Sequence, residues 1–189
     1  MKIAIDIDNT ICKTTEFYGE LAVLYDTKVL KKNNKIDYTK GIPRSDSWSK
    51  EELKNFISNY YNKYLLNIPV IEKAPYYIRM LKKNEAHITF ITNRGTKEDD
   101  IAGEITPEYL AINKIPYDEL ITRANEKYKY LEDYDHFIDD SIKECTLAAS
   151  NTKCHVIMMN TPQNSNFMDN RILKVDSWEG IYNSIMEWK

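Results

Sequence analysis

The sequence predicts a doubly wound α/β fold, with a parallel sheet covered by helices on both faces and a small helical cap inserted near its start. Short apolar runs typical of buried strands alternate with amphipathic helical segments, a pattern typical of parallel sheets. Between residues 16 and 71 the strand pattern stops, and a polar, aromatic-rich helical stretch replaces it. We therefore expect an α/β core over residues 1–15 and 72–189 and an inserted helical cap over residues 16–71.

The first elements are a strand at Lys2–Ile7 and then the insertion. Within the insertion we expect helices at about Glu16–Leu30 and Lys50–Leu65. Ser49, followed by acidic residues, is typical of a helix N-cap. The Lys/Asn-rich and Gly/Pro-containing stretches between these helices are predicted loops.

After the insertion, helices and strands alternate to the end of the chain. Pro75 suits the first turn of an amphipathic helix, which leads to a second strand at His87–Thr92. A helix around Pro107–Asn113 follows. The remaining elements are, in order, a short strand near Leu120, a short helix in NEKYKYLEDY, a strand at His136–Ile138, a helix in IKECTLAAS, a strand in CHVIMMN, an edge strand in ILKVDSW and a closing helix in WEGIYNSIMEWK.

Composition narrows the class of protein. A chain of 189 residues suits one domain with a modest insertion, and its net charge of −3 argues against attachment to a nucleic-acid polymer. The three cysteines form no CxxC pair, which argues against a disulfide framework and favours a reducing cytoplasm. No stretch approaches the ~20 apolar residues of a membrane span, and the N-terminal residues do not resemble a signal peptide. We expect a cytoplasmic protein with no membrane partner, and its oligomeric state stays open.

Polar groups follow three of the predicted strands, where ligands of parallel sheets gather. They are Asp6 and Asp8, Thr92 and Asn93, and Asp139 and Asp140. Because side chains alternate along a strand, Asp6 and Asp8 point to the same side. Two neighbouring carboxylates repel each other and resist losing water, so a ligand must offset that cost.

A magnesium ion and a phosphate group would offset it. Mg²⁺ prefers oxygen ligands and shares substrate phosphates, so Asp6, Asp8 and Asp139 are candidate ligands. The carboxylate of Asp6 is a candidate nucleophile, which would attack phosphorus to form an aspartyl-phosphate. Asp8 would protonate the leaving oxygen and later activate water. Thr92 and a lysine would hold the phosphoryl oxygens.

Three short motifs carry a family resemblance. The segment DIDNT resembles the first motif, DxDx[TV], of the haloacid dehalogenase-like (HAD) phosphatases, FITN resembles their second motif and FIDDS their fourth, in the same order. Together with ITNR, IPYDELI and the small helical insertion, these segments are similar to the 5′(3′)-deoxyribonucleotidase group. The resemblance covers most of the chain outside the insertion and implies a Rossmann-like core.

The resemblance also implies roles for individual residues. Asp6 would be the nucleophile, Asp8 the acid/base, and Thr92 with Asn93 would bind the phosphate. Asp6, the backbone carbonyl of Asp8 and Asp139 would bind Mg²⁺, the implied cofactor.

Three assignments stay open in the sequence. The third motif of the family is a lysine, for which Lys127 is preferred and Lys129 competes. Arg94 either helps to bind phosphate or only solvates its loop. Asp140 either binds the metal or, instead, contacts a metal ligand or caps a helix. The histidines, at strand starts opposite the predicted site, are expected to be structural: His87, His136 and His155.

The implied substrate is a small phosphate monoester, and by resemblance a nucleoside monophosphate. Phe17 and Tyr18, just after the first motif, and Trp48 are the candidates for stacking on a base. Aromatic residues at helical spacing in the insertion also indicate a bundle core. The alternatives are a phosphatase of sugar or other small phosphates, a phosphotransferase, and a non-catalytic protein that binds a phosphorylated ligand.

Overall fold

The centre of the fold is a six-stranded sheet, in a computed structural model that describes residues 1–95 and 101–188. The strands are β1 Lys2–Ile5, β2 His87–Ile91, β3 Glu119–Ile121, β4 His136–Asp139, β5 His155–Met159 and β6 Ile172–Val175. Their order is β3-β2-β1-β4-β5-β6, and all five neighbouring pairs are parallel. This arrangement confirms the predicted α/β fold class.

Six α-helices accompany these strands in the described residues. They are α1 Thr14–Leu24, α2 Lys50–Phe56, α3 Ala74–Lys83, α4 Ile101–Ile112, α5 Ile142–Asn151 and α6 Trp178–Glu187. The chain divides into two compact units, one made of Met1–Cys12 with Val70–Lys189 and the other of Lys13–Pro69. The first unit holds the sheet with α3 to α6, and the second holds α1 and α2. In the parts of the chain that the structure describes, no helix combines the length and the apolar character needed to cross a membrane.

The position of β1 determines where the site can form. β1 lies between β2 and β4, so the chain runs outwards from the centre in two directions. Its residue Ile5 is fully buried and lies opposite Phe90 of β2 and Ile138 of β4. The residue that follows β1 therefore emerges at a switch point between two neighbouring strand ends, where ligands of open parallel sheets bind.

The helices of the insertion differ in detail from the prediction. Ser49 caps α2 as expected, because its hydroxyl accepts from the backbone N–H of Glu52 and the Glu52 carboxylate accepts from the Ser49 N–H. Both helices lose regular α geometry earlier than expected, since α1 passes into a π-helical turn at Tyr25–Val29 and α2 into one at Ile57–Tyr61. A 3₁₀ segment at Asn62–Asn67 completes the second.

One predicted helix start is wrong. The sequence predicted a helix around Pro107–Asn113. In the structure Pro107 lies inside α4, which is already helical at Ile101. Proline lacks the backbone N–H that would complete the turn at this point, and an interior position is therefore unfavourable but evidently tolerated here.

Candidate active site

A buried lysine joins the ends of β1 and β4. Asp6 continues the β1 pairing, since its N–H donates to the carbonyl of Ile138 at 2.8 Å, and only 4% of the residue is exposed. The Nζ atom of Lys127 donates to Oδ1 of Asp6 and, at 2.7 Å, to Oδ2 of Asp139. Parallel pairing of β1 with β4 thus brings two carboxylates 133 positions apart in sequence onto one ammonium group.

The local backbone explains why Lys127 points inward. It opens a 3₁₀ turn at Lys127–Tyr130, preceded by Glu126 in the left-handed conformation at a φ of 56°. The Lys127 N–H donates to the buried carboxylate of Glu144 at 2.9 Å, which anchors the turn against α5. Lys129, the competing candidate, is 56% exposed at its side chain and pairs with Glu126. Of the two lysines, the structure brings Lys127 to the carboxylates.

The two acids after β4 have different surroundings. Asp139 is buried, and its second oxygen accepts from the N–H of Ser141 at 2.8 Å. Asp140 is partly exposed, and its backbone carbonyl accepts from the Asn164 side chain at 2.8 Å. One oxygen each from Asp6, Asp139 and Asp140 lies within 4.8 Å of the others. The site therefore gathers three carboxylates.

The three carboxylates near Lys127 carry more negative charge than its ammonium can neutralise. Burial raises the pKa of Asp6 to about 7, Lys127 opposes the rise, and Asp139 adds to it. Burial, and then the charge of Asp139, also raise the pKa of Asp140 well above its usual range. Burial lowers the pKa of Lys127, but the charges of Asp139 and Asp6 outweigh that effect and raise it. One ammonium thus faces three carboxylates.

This donor set fits a divalent cation such as Mg²⁺. All three candidate ligands are carboxylate oxygens, which hard cations prefer. The raised pKa of Asp6 shows that Lys127 does not compensate the buried negative charge by itself. A cation at this edge of the sheet would supply the missing positive charge.

The loop after Asp6 is folded back on itself. The carbonyl of Ile7 accepts from the N–H groups of Ile11 and Cys12, at 2.9 and 3.3 Å. Asn9 takes the left-handed conformation, with a φ of 58°, which asparagine tolerates better than most residues. The indole of Trp178 donates to the carbonyl of Thr10 at 2.8 Å. These bonds end β1 at Ile5, two residues earlier than the sequence indicated.

Asp8 points to Arg94, not to Lys127. Nε of Arg94 donates to Oδ2 of Asp8 at 3.0 Å, and Nη2 donates to Oδ1 at 2.7 Å. The guanidinium is buried, lies 5.3 Å from the ring centroid of Tyr109 and contacts Sγ of Cys12 at 3.4 Å. The predicted acid/base residue is therefore held by an arginine from the end of β2.

The two residues after β2 take different positions. Thr92 is fully buried, and its hydroxyl oxygen accepts from the N–H of Arg94 at 3.2 Å. Its own N–H donates to the carbonyl of Ile121 in β3 at 2.9 Å. Asn93 is exposed. Thr92 thus ends the strand neighbouring β1, and Asn93 faces solvent beside it.

The three aromatic candidates belong to the helical unit, where two of them are core residues. Trp48 is 8% exposed, packs edge-on against Tyr25, and donates from its indole to the buried Asp26 at 2.7 Å. Tyr18 is fully buried and stacks on Tyr61 at 4.2 Å between ring centroids. Neither ring offers more than a small surface to a base.

Phe17 is the exception among these three. It is half-buried and meets the Tyr18 ring edge-on at 5.3 Å. Helical spacing in the insertion already indicated a bundle core. Trp48 belongs to such a core, and Tyr18 is buried against Tyr61 in the same unit.

Sequence reasoning missed two contacts of the site. Glu144, which anchors the Lys127 turn, lies on α5 and has no motif around it. Arg94 was noted without its partner, and its ion pair with Asp8 spans 86 positions of sequence. The parallel pairing of β1 with β2 brings Asp8 and Arg94 together, although they lie far apart in the sequence.

Comparisons with known proteins agree with this fold. No protein-family model matches the chain, and no curated protein matches it either. Among solved structures, a HAD-superfamily hydrolase from Geobacter sulfurreducens matches with a TM-score of 0.62 at 12% identity, over 97% of this chain and 95% of the other. This chain has the HAD-like fold.

Two further structures with the HAD-like fold extend the comparison. A predicted phosphoglycolate phosphatase from Haemophilus somnus matches with a TM-score of 0.66 at 16% identity, over 97% of this chain and 96% of the other. The D,D-heptose 1,7-bisphosphate phosphatase from B. bronchiseptica, complexed with magnesium and phosphate, matches with a TM-score of 0.57 at 11% identity over the whole of both chains. The structural neighbours of this chain are thus HAD-superfamily phosphatases and hydrolases.

Proposed function

We propose that this chain is a Mg²⁺-dependent hydrolase of phosphate monoesters that acts through an aspartyl-phosphate on Asp6. One observation supports this most: the buried carboxylate of Asp6 shares the ammonium of Lys127 with Asp139. A carboxylate held in this way has a defined direction, as a nucleophile needs. The phosphatases among the structural neighbours support the same reaction class.

The proposed reaction has two steps. In the first, an oxygen of Asp6 forms a bond to phosphorus as the bond to the leaving group breaks, and Asp8 gives its proton to the leaving oxygen. In the second, Asp8 takes a proton from water, whose oxygen attacks the aspartyl-phosphate and releases phosphate and free Asp6. Lys127 and Thr92 would hold the phosphoryl oxygens as charge develops on them.

The proposed metal ligands are Asp6, Asp139 and the backbone carbonyl of Asp8, with Asp140 close enough to be an alternative ligand. Bound Mg²⁺ would neutralise charge on the carboxylates and the phosphate. The residues of the chain do the rest, since they orient the phosphate and move the protons.

The direct test is phosphate release from a broad panel of monophosphates, with Mg²⁺ and with a chelator. We expect turnover only with the metal and only when Asp6 is present. A wild-type enzyme that releases no phosphate from any member would contradict the proposal. Transfer of phosphate to an alcohol without net release would instead indicate a phosphotransferase.

Nucleoside monophosphates are the proposed substrate class, on the sequence resemblance to the 5′(3′)-deoxyribonucleotidase group. The residues 16–71 are the proposed cap, which would select the leaving group because the core motifs treat all phosphate monoesters alike. Phe17 is the best remaining candidate for contact with a base, since its ring is half-buried.

A phosphatase of sugar or other small phosphates is the second candidate. The burial of Trp48 and Tyr18 favours it, because these rings have little surface left for a base. The panel separates the two candidates if it pairs nucleoside monophosphates with sugar phosphates of similar charge. A specificity constant at least about tenfold higher for the sugar phosphates would favour the second.

A further inference from the structure

Arg94 contacts Asp8 in the geometry by which a guanidinium orients a carboxylate. Its Nε and Nη2 atoms donate to different oxygens of Asp8, at 3.0 and 2.7 Å. Two bonds of this kind, side by side, restrict rotation of the carboxylate as well as binding its charge. A lysine, which is a point charge on a flexible stem, provides no such fork.

The guanidinium is itself held in place. Its side chain is only 3% exposed, and it lies over the ring of Tyr109 at 5.3 Å. The backbone N–H of Arg94 donates to the hydroxyl of Thr92, which ties the residue to the end of β2. An arginine buried to this extent costs free energy unless a partner matches it, and Asp8 is a partner with suitable geometry.

We propose that Arg94 is a positioning residue for Asp8 in proton transfer, which rests on the function proposed above. Arg94 keeps the Asp8 carboxyl in one direction and stabilises the carboxylate that is left when the proton moves to the leaving oxygen. The proton passes between Asp8 and the leaving group in the first step and between water and Asp8 in the second. Arg94 stays protonated throughout.

A phosphate-binding role for Arg94 makes a different prediction. If Arg94 bound the phosphate, its substitution would slow hydrolysis of every ester and weaken the binding of inorganic phosphate. If Arg94 positions Asp8, its substitution slows hydrolysis mainly of esters whose leaving group needs a proton. An alkyl phosphate leaves as a strongly basic alkoxide and needs one, whereas 2,4-dinitrophenyl phosphate leaves as a weakly basic phenolate and does not.

The experiment compares Arg94→Lys with the wild type on these two esters in the presence of Mg²⁺. We expect kcat for the alkyl ester to fall at least about tenfold further than kcat for the dinitrophenyl ester. Binding of inorganic phosphate, measured by calorimetry, should stay within about twofold. Asp8→Ala should give the same split, and Arg94→Lys added to Asp8→Ala should add little to it, as residues that act as a unit are not additive.

The matched control is Arg171→Lys. Arg171 makes the same kind of fork, with bonds of 3.0 and 2.6 Å to Asp169, on an exposed part of the chain. Its substitution should give no split between the esters. If Arg94→Lys does not fold, as judged by circular dichroism, Arg94→Gln replaces it and should give the same split.

Two results would overturn the inference while the proposed function stands. They are equal losses on both esters with weaker phosphate binding, which would make Arg94 a phosphate ligand, and no loss on either ester. A wild type that hydrolyses neither ester would refute the proposed function, and this inference with it. Wild-type hydrolysis of the dinitrophenyl ester therefore distinguishes failure of the Arg94 inference from failure of the proposed function.

Discussion

The two ends of the parallel sheet carry opposite kinds of side chain. At the carboxyl end, the strands lead into Asp6 and Asp139, which are buried around Lys127. At the amino end, β4 and β5 begin with His136 and His155, whose rings lie 5.5 and 4.4 Å from that of Trp188. One end concentrates charge, and the other stacks aromatic rings.

The two ends of the sheet therefore contribute differently to stability: packing at the amino end stabilises the fold, and buried charge at the carboxyl end destabilises it. Stacked aromatic rings bury apolar surface, which stabilises the fold. At the carboxyl end, burial raises the pKa of Asp6 to about 7, the charge of Lys127 opposes that rise and the charge of Asp139 adds to it, which is a cost to folding at neutral pH. Such a cost is expected where the chain needs a reactive group, so substitutions at the carboxyl end should affect activity and those at the amino end should affect stability alone.

The largest expected effect is on turnover. Asp6→Asn keeps the size of the side chain and removes the attacking charge, so kcat should fall at least about a thousandfold while the fold persists. Phosphate release and circular dichroism measure the two outcomes. The matched control is Asp135→Asn at the amino end, which should leave turnover intact. Appreciable turnover by a verified Asp6→Asn preparation would show that Asp6 is not the nucleophile.

The next effect is on stability without metal. Lys127→Met leaves two buried carboxylates without their ammonium, which should cost about 3–5 kcal/mol in the free energy of unfolding. Lys129→Met, two positions away, should change it little, because its ion pair with Glu126 is exposed and screened. Urea unfolding in a chelating buffer compares them. Similar losses for both variants would mean that the buried ion pairs of Lys127 contribute no more to stability than the exposed ion pair of Lys129.

A smaller difference separates the two acids after β4. Asp139→Ala should weaken Mg²⁺ binding by more than Asp140→Ala does, and by more than the about 10- to 100-fold typical of residues outside the ligand shell. Calorimetric titration with Mg²⁺ measures both, independently of turnover. If Asp140→Ala proves the more damaging, the ligand belongs to Asp140 and the sequence-based assignment is reversed.

The sequence predicts the sheet better than it predicts the contacts at its carboxyl end. Strand positions follow from local apolar runs, and the ends of parallel strands necessarily meet, so Asp6 and Asp139 are found without a structure. The choice between Lys127 and Lys129 is different. Both lie in one short turn, and the left-handed backbone at Glu126, with the bond from Lys127 N–H to Glu144, decides which points inward.

In the helical unit, too, the sequence does not predict the contacts of individual aromatic residues. Trp48 is equally plausible as a base-stacking residue and as a core residue from its sequence context. A buried carboxylate decides for the core, because Asp26 accepts from the Trp48 indole and from the backbone and side chain of Asn34. Trp48 and Asn34 lie 22 and 8 positions from Asp26, so no short sequence motif reveals these contacts.

The smallest effect concerns pH and the amino end of the sheet. Burial, and then the charge of His155, lower the pKa of His136 to about 4, while Asp135 opposes them and the N-terminal ammonium adds to them. Within the described part of the chain, Nδ1 of His136 is buried without a hydrogen-bond partner, which agrees with a neutral ring. An unfolded histidine titrates near 6.5, so only the unfolded state takes up this proton between about pH 6.5 and 4.

The sign of the effect follows from that uptake. The contribution of His136 to stability is fully present above about pH 6.5 and is lost as pH falls towards 4, by roughly 1–2 kcal/mol once screening by water near the half-exposed Trp188 is allowed for. Asp6 acts oppositely, because its raised pKa makes the folded state keep a proton below about pH 7. Unfolding free energies of His136→Gln and its parent should therefore be compared on an Asp6→Asn background, where the two curves should converge at low pH. Curves that stay parallel from pH 7 to 4.5 would show that His136 is not held neutral, and the contrast between the two ends would then rest on packing alone.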